Sequence, residues 1–361
     1  MRVGGGFLYD YVAYSQDEDS KSQMSLQPTG KLRDFRILLK GEFPKIPGLT
    51  YTLGYMYDAG AESWRFRMTG LQYEIPKLYG ALFVGRTKEG SSTSKNMVGY
   101  QGWTMERSTS NDAFLPILAD GVKWSGHTPD GQIVYTLGWF GDSLSEKESF
   151  NKSDGQVVGH VTWLPFINSN PGRLLHLGLA YRRGDSDEGF LQFKSKPESF
   201  PAQSNAIDTG KMEAQHSDLV TLETYYRPGP FMVGGEYYFN KVSSRTEDNP
   251  SFHGGNVFAA WTATGEIRPY NKAGAVFDRI SPKRTVFEGG PGAWELVLNY
   301  SYSDLDSKAI KGGKFWRITP MVNWHLSDNM RLEFAYGYGV LHRFNTQGAT
   351  QFFQTRLQLQ L

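Results

Sequence analysis

The chain has 361 residues, enough for one large domain or two ordinary ones, and a formal charge of +1 that points to no nucleic acid and to no strongly charged partner. It contains no cysteine, which excludes a disulfide scaffold and any thiolate metal site. Aromatic residues make up 14% of the chain, with 20 Tyr, 23 Phe and 41 Gly, yet mean hydropathy is −0.47. A water-soluble core so rich in rings would also be rich in aliphatic residues. A barrel with a wet interior needs apolar residues only at alternate positions, with aromatic girdles at both membrane interfaces.

No run of about 18 apolar residues is present, so no transmembrane helix is expected. The N-terminal MRVGGGFLYDY lacks the apolar core of a signal peptide, and the numbering reads as that of a mature or trimmed chain. Sixteen segments then alternate with period two: 2–14, 30–44, 49–58, 63–75, 78–86, 118–127, 132–142, 155–165, 173–184, 216–227, 231–242, 254–267, 292–304, 312–325, 330–342 and 349–361. In the third, Leu49, Tyr51, Leu53, Tyr55 and Tyr57 oppose Thr50, Thr52, Gly54 and Asp58. In the last, Phe353, Thr355, Leu357, Leu359 and Leu361 oppose Gln354, Arg356, Gln358 and Gln360. Segment 63–75 changes face near Gly70, which predicts a bulge.

A sandwich would alternate too. Here, however, one face is continuously apolar and ends in rings, while the other carries charge or glycine. Strands of about ten residues tilted in a bilayer read this way. Closure is then obligatory, because an open sheet edge finds no partner in lipid. The fold class expected is all-β: one transmembrane antiparallel barrel of 16 strands spanning residues 1–361, with loops folded into the lumen, in a bacterial outer membrane.

Short connections such as FPKIPG, IPK, TPDG, RPGP and LSDN follow even strands. Long polar ones at 15–29, 87–117, 143–153 and 185–215 follow odd strands, the asymmetry of periplasmic turns and extracellular loops. Residues 268–291 break this rule, being long where a short turn is due.

Three blocks carry a resemblance: GRTKEGSSTSK with the following ERSTSNDAFLP, IRPYNKAGAVFDRISPKRTVFEGG, and GAWELVLNYSYSDLD. They resemble the phosphate-selective porin O/P family. The resemblance implies an anion-selective, trimeric channel in which the third extracellular loop, here 87–117, and a long periplasmic turn, here 268–291, enter the lumen. By motif it assigns Lys88, Ser94 and Arg107 to the constriction, with Lys272, Arg279, Lys283 and Arg284 as the turn's cations. The chain departs from the family in carrying extra residues between Ser94 and Arg107, and in ending in Leu361 rather than an aromatic.

An anion channel needs fixed positive charge at its narrowest point and binding weak enough for release. Alternation turns Arg36, Lys40, Arg65, Arg67, Arg182, Arg317, Arg331 and Arg356 inward, along with Asp34, Glu42, Glu223, Glu236, Glu295 and Glu333. Arg65 and Arg67 lie about 7 Å apart on one face; with Arg36 and Arg86 they form a basic stripe leading towards the third loop. The competing reading is that wall cations pair with wall acids, that Glu106 or Asp112 holds Arg107, and that Asp278 and Glu288 neutralise the turn.

The block LGWFGDSL mimics a hydrolase nucleophile motif at Ser143, but no histidine has an aspartate three residues before it, so no enzyme and no catalytic residue is expected. His160 and His176 face the lumen from neighbouring strands without the convergence of a metal site, and no cofactor is expected. Tyr225 and Tyr238 are the candidates for an inward aromatic slide. The expected partners are the lipid bilayer and small anions, phosphate or a related oxyanion foremost. A general porin of weak selectivity and a sealed barrel that anchors or houses a partner protein stay open as alternatives.

Overall fold

Sixteen consecutive antiparallel strands close on themselves in a computed structural model that describes residues 1–59, 62–141, 153–167 and 172–361. They are β1 (Arg2–Gln16), β2 (Thr29–Glu42), β3 (Leu49–Asp58), β4 (Ser63–Ile75), β5 (Gly80–Thr87), β6 (Ala119–His127), β7 (Ile133–Gly141) and β8 (Gly155–Ile167). Then follow β9 (Arg173–Asp185), β10 (His216–Pro228), β11 (Phe231–Ser243), β12 (Ser251–Thr262), β13 (Ala293–Ser307), β14 (Ile310–His325), β15 (Met330–Arg343) and β16 (Thr346–Gln360). Pairing of β1 with β16, from Gly6 opposite Gln360 to Gln16 opposite Thr350, leaves no free edge. All sixteen predicted segments are strands. Ser143 and most of the loop at 143–153 lie outside the described residues.

Period two decides which face meets lipid. Leu137, Trp139, Val157, Trp163, Leu179 and Tyr181 point outward and are exposed, whereas Arg317, Arg331, Glu333 and Asn323 point inward and are buried. Buried polar side chains inside a barrel require that the lumen be filled, and three connections fill it. Residues 186–215 form two short ribbons, Phe190–Leu191 with Met212–Glu213 and Lys194–Ser195 with Ile207–Asp208. Their Leu191, Phe193, Ile207 and Met212 pack with Phe114 and Leu115 against Tyr238, Phe252, Phe315 and Phe352 of the inner wall. A second cluster joins Met97, Trp103 and Met105 to Phe277 and to wall residues Leu174, Tyr225, Phe258 and Met321.

Two departures from strict alternation shape the interior. Leu8 pairs with Asp34 but Tyr9 with Leu32, so Arg33 is an extra residue in β2. Leu53 pairs with Thr69 but Tyr55 with Phe66, so Arg67 and Met68 together oppose Gly54. A Cβ at Gly54 would lie 2.8 Å from the Met68 carbonyl oxygen, which is why glycine faces this bulge. The face change expected near Gly70 thus falls slightly earlier.

β12 corrects a boundary. It was expected over 254–267 but ends at Thr262, where the Gly265 amide donates to the Thr262 carbonyl at 2.9 Å and Gly265 takes φ +83°. The long turn therefore begins at residue 263. It folds back through a ribbon of Tyr270–Asn271 with Val276–Phe277.

Candidate functional site

The site grows from the loop joining β5 to β6. Two short helices, α1 (Thr93–Asn96) and α2 (Thr109–Phe114), are each started by a serine whose hydroxyl accepts a first-turn amide: Ser92 from Lys95 and Ser108 from Asn111. The remaining amides at the start of α1 are satisfied by the wall. Glu223 of β10 accepts the Thr93 amide at 2.9 Å and its hydroxyl at 2.7 Å. Glu236 of β11 accepts the Ser94 amide and hydroxyl at 2.7 and 2.6 Å and the Ser92 hydroxyl at 2.7 Å. The Tyr225 hydroxyl donates to Glu236 at 2.6 Å, and Tyr238 does likewise. Both tyrosines thus serve to seat the loop. His160 and His176 converge on the same Glu223 carboxylate, at 3.3 and 3.2 Å.

Further along, the loop is fastened to the opposite wall through its carbonyls. Arg331 donates to Gly102, Asn323 to Trp103 and Gln358 to Tyr100, at 2.8, 2.9 and 3.1 Å. The Trp103 ring stacks on Phe258 at 4.2 Å. Arg268 of the long turn bridges Gln101 to Glu295, donating to the latter at 2.7 and 2.8 Å.

Despite the extra residues between them, Ser94 and Arg107 meet, and Lys88 joins them. Arg107 donates to the carbonyls of Ser94 and Met97, each at 2.8 Å. Lys88 donates to the same Met97 carbonyl and to Asn96 at 3.3 Å. Burial, then the neighbouring Arg107, Arg67, Arg36 and Lys95, push the Lys88 ammonium well below the ordinary lysine range. Asp112 pairs with Lys95 at 2.9 Å and Glu106 with Arg33 at 2.9 Å. The Ser94 hydroxyl is held by the wall.

The basic stripe divides. Arg36 and Arg67 flank Asp34, with Arg36 Nε 3.0 Å and Arg67 Nη1 3.7 Å from its carboxylate, and the Arg36 guanidinium lies over the Tyr100 ring. Arg65 lies 3.9 Å from Asp58 and donates to Ser63 at 3.2 Å. Arg86 is buried in a two-point pair with Asp120, at 2.8 and 3.0 Å. The turn cations stand apart. Lys272 is exposed at the ribbon tip, Lys283 donates to the Thr264 carbonyl at 3.2 Å, and Arg284 donates to the Glu288 carbonyl at 3.0 and 2.7 Å. The Arg279 amide donates to Asp278, whose carboxylate also takes Gln101 at 2.7 Å.

Two cavities lie along the wall of β2 to β4. The outer, about 390 Å³, opens beneath residues 192–200; the inner, about 60 Å³, reaches Asp34, Arg36, Gly102 and Arg356. Their linings have four residues in common: Arg33, Arg67, Glu106 and Arg107. Ser94 lines the inner cavity, whereas Lys272, Arg279, Lys283 and Arg284 line neither. Sequence reasoning missed Arg33 because the bulge in β2 turns it inward against the parity of its strand. It passed over Lys95, and it took Glu106 only as a counter-ion.

The family described as Phosphate-selective porin O and P matches residues 1–361. The chain belongs to this family. This porin is 27% identical over 263 residues to an uncharacterized protein of Caulobacter vibrioides, the match taking in 69% of this chain and 50% of that protein. The chain thus spans about half the length of the curated relative it matches. Among solved structures, the anion-selective porin from Comamonas acidovorans superposes with a TM-score of 0.60 at 13% identity, over 100% of this chain and 99% of that one. The trimer form of OmpT, an outer membrane protein of Vibrio cholerae, gives 0.61 at 10% identity, over 100% and 98%. Fold and family place this porin in the outer membrane.

Proposed function

We propose that this porin lets small anions diffuse passively across the outer membrane, with phosphate and related oxyanions favoured, and that it makes and breaks no bonds in doing so. The observation that carries this reading is the shared lining of the two cavities, where three guanidinium groups and one carboxylate surround the route between them. A guanidinium offers an oxyanion two parallel donors, and loops that exclude water strengthen the attraction. The name of the Comamonas porin and the family's description support the anion preference. The trimer form of OmpT supports a homotrimer in the bilayer.

Reversal potentials across a planar bilayer in a salt gradient test the reading. Anion preference is expected, with inorganic phosphate blocking the chloride current. A cation preference would overturn it, and absence of conductance would favour a sealed barrel, for which the two apolar clusters in the lumen speak. In Arg107→Ala, half-blocking phosphate is expected to rise about tenfold, the equivalent of about 1.4 kcal/mol. The side chain lost there both faces the route and ties Ser94 to Met97.

A pH effect is expected at the outer cavity. Burial and the adjacent Lys31 push Lys196 down to about 8, against the pull of Glu106. The ammonium is therefore charged at pH 7 and neutral well above 8, so anion conductance should fall modestly as pH rises through that window. In Lys196→Gln the fall should vanish.

A further inference from the structure

The outer cavity has two unlike sides. Seven lysines and arginines and four carboxylates line it, so its charge favours anions. The carboxylates are engaged: Glu106 lies 2.9 Å from Arg33, Asp112 2.9 Å from Lys95 and Asp58 3.9 Å from Arg65, while Glu198 accepts the Thr109 amide at 3.1 Å. Phe200 gathers three cations around one ring, with Arg33 at 4.2 Å, Lys196 at 5.3 Å and Lys31 at 5.4 Å from its centroid. Lys196 also donates to the Phe200 carbonyl at 2.8 Å, a neutral acceptor that leaves its charge uncancelled. The other side is apolar and uncovered. Ile117 lines the cavity with 46% of its surface exposed, and Ala113 and Pro116 of the same lining are half-buried. Leu137, Val157 and Leu179 are exposed to a similar degree, but to lipid. Ile117 instead faces the route of a polar solute, where a bare inorganic ion gains nothing from it.

We propose that the outer cavity binds phosphate monoesters that carry a ring-sized apolar group, the phosphate facing Arg33 and Lys196 and the ring lying on Ala113, Pro116 and Ile117. This deepens the anion-channel reading and rests on it. Sites for small molecules combine an apolar lining with a few placed polar groups, and at about 390 Å³ the cavity has room for a phosphate with one ring attached. The inner cavity, about 60 Å³, is far smaller, so the ring is held at the outer one. The ring leaves water as it covers Ile117, a gain in proportion to the apolar area removed. The phosphate meanwhile meets cations that repel one another. Burial, then Lys31, already push Lys196 down, and an anion set beside it relieves that repulsion. An ester is thus held by both ends, whereas inorganic phosphate is held by its charge alone.

The test compares phenyl phosphate with methyl phosphate as blockers of chloride current through single channels, added on the extracellular side near neutral pH. The two esters share a head group and differ in the apolar group. In the wild type, phenyl phosphate is expected to half-block at about a tenth of the methyl phosphate concentration, because its ring leaves water. Ile117→Ser, at an exposed position, should bring the two concentrations within about twofold of each other. Lys196→Gln should raise both together and keep their ratio, since it alters only the surroundings of the head group. Heat-modified gel migration verifies that each barrel is folded. A wild-type ratio near one, or a ratio that Ile117→Ser leaves undisturbed in a folded barrel, overturns the proposal; block by inorganic phosphate then still supports the channel reading. A wild-type channel blocked by neither ester nor by inorganic phosphate overturns both.

Discussion

Replacing Glu236 by Ala is expected to unseat the loop that crosses the lumen while the barrel itself stays closed. Its two carboxylate oxygens accept from Ser92, from the Ser94 amide and hydroxyl, and from the Tyr225 and Tyr238 hydroxyls. Hydrogen bonds to a charged group contribute about 1.5–3 kcal/mol each, and a buried donor left without an acceptor costs about 1–3 kcal/mol. Contacts within one network do not add, so roughly 3–5 kcal/mol is the expected loss from the seating of the loop. The sheet has no part in that loss, because β11 keeps its ladder with β10 and β12. Single-channel conductance should rise, openings should become noisy, and phosphate block should largely disappear. Protease should newly cut within residues 88–118. Unchanged conductance would mean that the carbonyl contacts at Tyr100, Gly102 and Trp103 suffice to hold the loop alone. Glu236→Gln, which keeps one carbonyl acceptor, should fall between the two.

Glu236 also illustrates what the sequence conveyed and what it withheld. The wall was legible because lipid imposes a rule at every second residue, and a rule repeated over 16 strands survives local exceptions. The interior obeys no such rule. Alternation placed Glu223 and Glu236 among the inward acids that would pair with wall cations, yet both carboxylates accept from amides and hydroxyls at the start of α1. Arg86 was joined to the stripe by its place at the end of the neighbouring strand, although its register partner on β6 is Asp120, which takes both ends of the guanidinium. Arg33 was hidden differently. Alternation assigns it to the lipid face, and only the extra residue in β2 turns it inward. A bulge changes one pairing and leaves no mark on composition or period. Residues 186–215 carry no periodicity either, so nothing in the sequence announced that Leu191, Phe193, Ile207 and Met212 would cover the mouth.

Which charges remain effective thus depends on pairing, and Arg67 is where this is tested most directly. Arg67→Glu is expected to abolish or invert the selectivity of the channel. The residue lines both cavities and lies on the β4 bulge beside Asp34. In the wild type, Arg33, Arg36, Arg67, Arg107 and Arg356 face Asp34 and Glu106 along the inner cavity; after the change, four cations would face three acids, and Asp10 already holds one of the four, Arg356, at two points. Reversing one charge alters the local balance by two units. Each unit at 4 Å contributes about 4 kcal/mol at an effective dielectric constant of 20, before water and salt reduce it. A fall of at least tenfold in the anion-to-cation permeability ratio, about 1.4 kcal/mol, is therefore a conservative expectation. The effect should be largest near 0.01 M salt, where the screening length is about 30 Å, and should shrink at 1 M, where it is about 3 Å. Arg86→Gln is the matched control. It removes one unit of positive charge from the same wall, but from a buried pair, so selectivity should hold while stability falls by about 3–5 kcal/mol as Asp120 loses its partner. If instead Arg86→Gln moves the reversal potential and Arg67→Glu does not, the permeating ion does not travel between the two cavities.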